Sequence, residues 1–273
     1  MKQQLVLDRL AVSLGETKYY IRYRKDYIDP NDPRIDGSHI HDCYEIYFNV
    51  SGDVSFFVNN KLYPIKKGDV IFARGGEVHF CVYNRPILHE YFCVWINADR
   101  NSAVTEFIER NLKKNFISCG DLGEDISNLL FKMNNVPSSD DRFEDTVNLL
   151  RLLILISERR EKQTPPPTSI LPIELQRIVD DISENFAEIS GVNDILKRHY
   201  ISQATLNRRF RKYMQISPRA FLEDKKLAYA RQLLLCGVSV TDACFNAGFS
   251  DCSRFITVFK RKFGETPHKY KSK

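Results

Sequence analysis

The chain lacks the cysteine pattern of a stapled or zinc-ribbed protein. Its seven cysteines, Cys43, Cys81, Cys93, Cys119, Cys236, Cys244 and Cys252, are odd in number and contain no CxxC pair. A disulfide framework or a zinc ribbon needs closely matched pairs, so reduced thiols are expected. Long hydrophobic runs are also missing: charges interrupt every apolar stretch of the amino-terminal MKQQLVLDRLAVSLGETKYY, and nothing approaches the ~20 residues that span a bilayer. The expected setting is the cytoplasm. Charge of one sign is scarce in the first part of the chain and abundant in the last. Residues 173–273 hold 18 Lys and Arg against 11 Asp and Glu, a net +7, whereas the remaining 22 against 24 give −2. A basic segment joined to a near-neutral one points to a polyanion partner for the former.

At 273 residues and 43% hydrophobic composition the chain can fold as two domains of ordinary size. The boundary falls in EKQTPPPTSILP, residues 161–172, where three consecutive prolines exclude a continuous helix. Upstream, residues 18–97 carry short Tyr-, Phe-, Val- and Ile-rich runs separated by Gly, Asn, Asp and Pro, which predicts an all-β barrel or sandwich. From residue 102 the apolar period becomes helical. In FEDTVNLLRLLILISERR, Phe143, Val147, Leu150 and Ile154 form one stripe, which Leu149, Leu152, Leu153 and Ile156 widen. An arc that wide implies two partners, the barrel and a second copy of the chain, so a homodimer through Phe143, Val147, Leu150 and Ile154 is expected; a helix enclosed within one subunit is the alternative.

Downstream of the linker every segment reads as helix, and two share a plan: VNDILKRHYISQATLNRRFRKYMQISP and SVTDACFNAGFSDCSRFITVFKRKFGETP. Each has a short apolar-faced helix, a tight turn, a polar capping residue and a second helix ending in basic residues, the layout of a helix-turn-helix. In the first, Ser202 is the expected N-cap and Leu206 and Phe210 the anchors. Gln203, Ala204, Asn207, Arg208 and Arg211 are left outward, types able to meet guanine, adenine, phosphate or a thymine methyl. In the second, Phe255, Phe259 and Phe263 anchor the helix. Asp251, Cys252, Ser253, Arg254, Ile256 and Thr257 are expected outward, with Lys260 and Arg261 placed for phosphate. Double-stranded DNA is therefore the expected partner.

The run from Ser239 to Pro267, with Ala247-Gly-Phe, Phe255 and Phe259-Lys-x-x-Phe-Gly-x-Thr-Pro, resembles the signature of AraC-type (AraC/XylS) bacterial transcription regulators, and Leu206-x-Arg208-x-Phe210 with Ser217-Pro218 resembles the first unit of that family. The resemblance implies that Ala204, Asn207, Arg208, Cys252, Ser253 and Thr257 face bases. Two departures stand out: Thr257 replaces a common Arg, and Gln215 replaces a common Gly, which puts a non-Gly residue near positive φ.

HIHDCYEIYFNVSG, residues 39–52, with GDVIFARGGEVH, residues 68–79, is similar to the paired signature of cupins, whose three His and one Glu hold a metal inside a small barrel. On a strand, His39, His41, Cys43, Glu45 and Tyr47 would share a face. The AraC-type resemblance implies a cupin-like sensor barrel that takes a sugar or other small polar effector; side chains able to hydrogen-bond its hydroxyls and stack on its ring are Arg22, His39, His41, Glu45, Tyr47, His79 and Trp95, the expected contacts. No resident cofactor is then expected. A divalent metal on His39, His41, Glu45 and His79, or an inert polar core, are the other readings, and a metal-dependent cupin enzyme fused to a DNA-binding tail is the competing class. The expected architecture is multidomain α+β: a cupin-like effector and dimerisation domain over 1–160, a linker over 161–172, and an all-α domain with two helix-turn-helix units over 173–273. The expected role is a ligand-responsive transcription regulator, not an enzyme.

Overall fold

The computed structural model describes residues 5–12, 17–32, 37–135, 142–158 and 168–271. The chain divides into two compact units, one of residues 1–36, 41–75 and 81–170, the other of residues 37–40, 76–80 and 171–273.

The first unit carries a six-stranded sheet and most of a three-stranded one. The strands are β1 (Leu5–Val12), β2 (Lys18–Ile28), β3 (Tyr44–Ser51), β4 (Val54–Val58), β5 (Lys61–Ile65), β6 (Asp69–Ala73), β7 (His79–Val82), β8 (Ile87–Asn97) and β9 (Phe116–Ser118). The sheet orders are β1-β2-β8-β3-β6-β9 and β5-β4-β7. Asn59 and Asn60 turn β4 into β5, both at positive φ (46° and 62°), the backbone that a two-residue hairpin loop matched to strand twist requires. Along β3 the alternation sorts the faces: Ile46 and Phe48 join a core shared with helices, whereas Tyr47 faces a second cluster with Phe56, Tyr63, Ile71 and Cys93.

Two strands lie outside the sequence expectation. β1 pairs along its whole length with β2, from Leu5 opposite Lys25 to Val12 opposite Lys18, in a segment whose interrupted apolar pattern does not announce a strand. β9 lies inside the stretch read as helical and extends the sheet by pairing with β6. Three residues are too few to establish a period, and tertiary pairing decides the local structure there.

The helices of this unit are α1 (Ala103–Asn111), α2 (Leu122–Asn135) and α3 (Arg142–Glu158). Ser102 caps α1 by accepting from the Thr105 amide at 3.2 Å. Leu149, Leu152, Leu153 and Ile156 of α3 are buried with Ile126, Leu130 and Met133 of α2 against the larger sheet. The other stripe of α3 is exposed: Phe143, Val147, Leu150 and Ile154 are 67%, 45%, 40% and 46% exposed.

The second unit contains α4 (Ile173–Asn185), α5 (Val192–His199), α6 (Gln203–Met214), α7 (Pro218–Leu235), α8 (Val240–Asn246), α9 (Cys252–Phe263) and α10 (Pro267–Lys271). Four of these helices start on a side-chain cap: Ser202 for α6, Ser217 followed by Pro218 at the first turn of α7, Ser239 for α8 and Asp251 for α9. Leu222, Leu227, Ala230 and Leu234 of α7 are buried, the last three in one core with Ala243, Cys244, Phe255 and Phe259, so α7 ties the two helix pairs together. Of the expected linker, residues 161–167 lie outside the described ones. Near its end the Ile170 amide donates to the Leu62 carbonyl at 2.9 Å, and the units divide between Ile170 and Leu171. Among the described residues no helix is long and apolar enough to cross a membrane.

Candidate nucleic-acid interface and effector site

The first helix pair is α5 and α6, the second α8 and α9. α5 ends at Tyr200, whose left-handed backbone (φ 50°) turns the chain; Ser202 then accepts from the Thr205 amide and starts α6. Leu206, Phe210 and Met214 are fully buried, and the ring of Phe210 lies 6.0 Å from that of Phe221 on α7. The helical period therefore directs Gln203, Ala204, Asn207, Arg208 and Arg211 to the opposite side, where all five are exposed. Gln215 closes α6 at φ 56°, the strained position expected from the sequence.

In the second pair, Gly248 makes the turn at φ +80°, and a Cβ there would fall 2.8 Å from the Ala187 carbonyl carbon and closer still to its oxygen. Lys226, itself buried, donates to the Gly248 carbonyl at 2.6 Å and fixes the turn to α7. Phe255, Val258 and Phe259 are buried; Ser253, Arg254, Ile256, Thr257, Lys260 and Arg261 are exposed, with Cys252 half-buried. Asp251 is exposed, as expected, and also caps the helix: its carboxylate accepts from the amides of Ser253 (2.8 Å) and Arg254 (3.3 Å). The Thr257 hydroxyl donates to the Ser253 carbonyl one turn back, at 3.0 Å.

The barrel cluster follows from strand register. Glu45 lies opposite Trp95, and Tyr20 opposite Trp95 on the other side of β8. Trp95 Nε1 donates to Glu45 Oε2 at 2.6 Å, and His41 Nε2 approaches the same oxygen at 2.7 Å, while His41 Nδ1 lies 3.0 Å from the Cys43 carbonyl. Burial opposes a charge on His41, but its bonds to Cys43 and Glu45 outweigh that and raise its pKa to about 10. The Arg22 guanidinium lies over both Tyr20 and Trp95, 5.4 Å from each ring centre. Arg22, His41, Glu45 and Trp95 thus come together as one polar, aromatic-backed group.

One expectation about this group needs correction. His39, His41, Cys43, Glu45 and Tyr47 do not lie on one continuous strand, because β3 begins at Tyr44. His39 sits in an isolated bridge with His79, exchanging backbone bonds of 2.8 and 3.2 Å, and the bonds of the His41 ring to Cys43 accompany a bend rather than a ladder. Only Glu45 and Tyr47 share the strand face. Tyr47 points deeper, to His89, whose Nε2 lies 2.7 Å from the Tyr47 hydroxyl and 3.2 Å from Asn49 Oδ1, and whose Nδ1 lies 3.0 Å from the Tyr83 hydroxyl. Burial alone lowers the His89 pKa to about 3, so this ring is a neutral hub. Burial also pushes the nearby Cys81 thiol up to about 12.

Residues 195–273 match the family model of a helix-turn-helix domain and residues 26–102 that of an AraC-like ligand binding domain. The chain is an AraC-family transcriptional regulator. Among its relatives, the uncharacterized HTH-type transcriptional regulator YbfI of Bacillus subtilis (strain 168) is 28% identical over 79% of this chain and 80% of its own length. The HTH-type transcriptional activator RhaS of Escherichia coli O139:H28 is 23% identical over 88% and 89%. A crystal structure of ToxT from Vibrio cholerae O395 covers 98% of this chain and 97% of its own, at 15% identity and a TM-score of 0.39.

Two members of the regulator's barrel cluster escaped the sequence reading. Tyr20 shares the Arg22 guanidinium with Trp95, and His89 occupies the centre of the tyrosine group. The signal for His89 was present in β8, where His89, Tyr91, Cys93 and Trp95 occupy alternate positions and hence one face.

Proposed function

We propose that this AraC-family regulator works in the cytoplasm as a homodimer that reads DNA with α6 and α9 and responds to a small polar effector, a sugar or similar metabolite, at the group formed by Arg22, His41, Glu45 and Trp95, with His39, Tyr47 and His79 as further contacts. The observation that carries the DNA reading is α6: an inner stripe of Leu206, Phe210 and Met214 is fully buried, and every outward residue is a type that meets bases or phosphate. On α9, Cys252, Ser253 and Thr257 take the base-facing positions, and Arg254, Lys260 and Arg261 the phosphate side. The stripe Phe143, Val147, Leu150 and Ile154 supports the dimer, since it is apolar and substantially exposed in a single chain.

Aromatic rings beside a guanidinium, an ion pair and phenols suit a ligand with several hydroxyls and a flat apolar face. Binding of a mixed-sequence duplex, measured by fluorescence anisotropy between 50 and 300 mM salt on the order used for such slopes, should weaken steeply as counterions are retained. Arg208→Ala should cost about 1 to 3 kcal/mol at a selected operator and relax preference at one base pair. Uniform loss across sequences would make Arg208 a phosphate contact instead.

A second reading is a divalent metal on His39, His41, Glu45 and His79. The His41 geometry favours it in one respect: Nδ1 is held by a carbonyl, which leaves Nε2 directed at Glu45. Against it, Glu45 Oε2 already meets both His41 and Trp95. Elemental analysis of chelator-free protein decides, since a stoichiometric metal lost in His41→Ala would replace the polar-effector reading.

A further inference from the structure

Arg254 and Arg261, seven residues apart and so on one face of α9, share a single acidic partner. Glu223 of α7 directs one carboxylate oxygen at each: Oε1 lies 2.7 Å from Arg261 Nη2 and Oε2 lies 3.4 Å from Arg254 Nη2. The exposures are unequal. The Glu223 side chain is 18% exposed, the arginines 51% and 69%. The arginines can therefore swing toward solvent or a phosphate, while the carboxylate stays anchored on a helix whose neighbouring residues, Leu222 and Asp224, are buried. In the free protein the three charges sum to one positive unit instead of two.

Resting on the reading of α9 as a DNA-contacting helix, we propose that Glu223 is a specificity-determining residue: it withholds Arg254 and Arg261 from the phosphates of arbitrary sequence and suppresses non-specific binding. A duplex of any sequence offers phosphates, so the attraction of two unpaired arginines is indiscriminate. With Glu223 in place, each arginine must leave a carboxylate to reach a phosphate, and the carboxylate that remains repels the backbone. Only a site whose base contacts hold the duplex against the helix overcomes both effects. The device adds discrimination through repulsion rather than through a new attractive contact.

The test uses the full-length chain and a 30-base-pair duplex of scrambled sequence. Glu223→Gln, which keeps the shape and removes the charge, should tighten binding about 3- to 10-fold at low salt and steepen the slope of log affinity against log salt by about 1 to 2, as one or two freed cations release further counterions. Adding Arg254→Ala and Arg261→Ala to that variant should erase the gain, which a merely structural role for Glu223 would not produce. If the Gln variant lowers the helical circular dichroism, Glu223→Met, of similar volume and apolar, carries the same expectation. Unchanged or weaker binding with the wild-type slope in a folded variant overturns the role of Glu223 alone. A wild-type chain that binds no duplex at any salt overturns the DNA reading of α9 and this inference with it.

Discussion

Gly248→Ala and Gly237→Ala form a matched pair that separates backbone preference from steric clash. Both glycines adopt positive φ, +80° and +84°, so each substitution carries the left-handed penalty of roughly 1 to 2 kcal/mol for an L residue. They differ in what the new methyl meets. At Gly237 nothing lies within 4 Å, whereas at Gly248 the methyl runs into the backbone of Ala187, 2.8 Å from two of its carbons. Backbone cannot yield as a flexible side-chain end can. Relief requires the turn to retreat, and the turn's carbonyl is the acceptor of the buried Lys226 ammonium. Weakening that charged hydrogen bond adds about 1.5 to 3 kcal/mol. Gly248→Ala should therefore cost about 2.5 to 5 kcal/mol, the sum of these two contributions, against about 1 to 2 for Gly237→Ala. Urea unfolding followed at 222 nm, where the helices of the second unit dominate, gives both values from the shift in midpoint. Equal costs for the two variants would refute the steric argument and, with it, the close packing of this turn against Ala187.

The neutral hub of the barrel predicts a pH dependence. An unfolded chain protonates His89 near 6.5, whereas in the folded protein the pKa is near 3. Stability from this residue is thus intact above about pH 6.5, declines by about 1.4 kcal/mol per unit as pH falls, and levels off near pH 3. His89→Asn should be less stable at neutral pH yet show a shallower slope between pH 6 and 4; an unaltered slope would remove His89 as its source. For the exposed stripe of α3, Leu150→Glu should convert dimer to monomer in sedimentation velocity with the circular dichroism preserved. A monomeric wild-type chain, or a dimer indifferent to that charge, would count against the interface.

The helical unit was legible because its signals are local. Ser202 and Ser239 as caps, Phe255 and Phe259 as anchors, and the strained Gln215 follow from spacing and side-chain chemistry within a few residues. The barrel was legible as a class but not in detail. Pairing across long sequence separations selects which residues meet, and no local rule states that Trp95 lies opposite Glu45 or that β9 adds to β6. The bend over residues 41–43 was missed for a related reason: an alternating His-x-His pattern fits a strand equally well until the side-chain bonds of His41 are known. The capping role of Asp251 was not legible because a capping acid and any other outward acid look alike in a sequence, and only the amides of Ser253 and Arg254 distinguish them.

α7 spans 18 residues, about 27 Å at 1.5 Å per residue, and is locked at one end by Phe221 against Phe210 and at the other by Leu234 in the core of α8 and α9. A strut of fixed length sets a fixed phase. On the proposed reading of DNA by both α6 and α9, promoters served by this protein present their two recognition elements at one angular offset around the duplex, so inserting half a helical turn between them should abolish response as thoroughly as deleting either element.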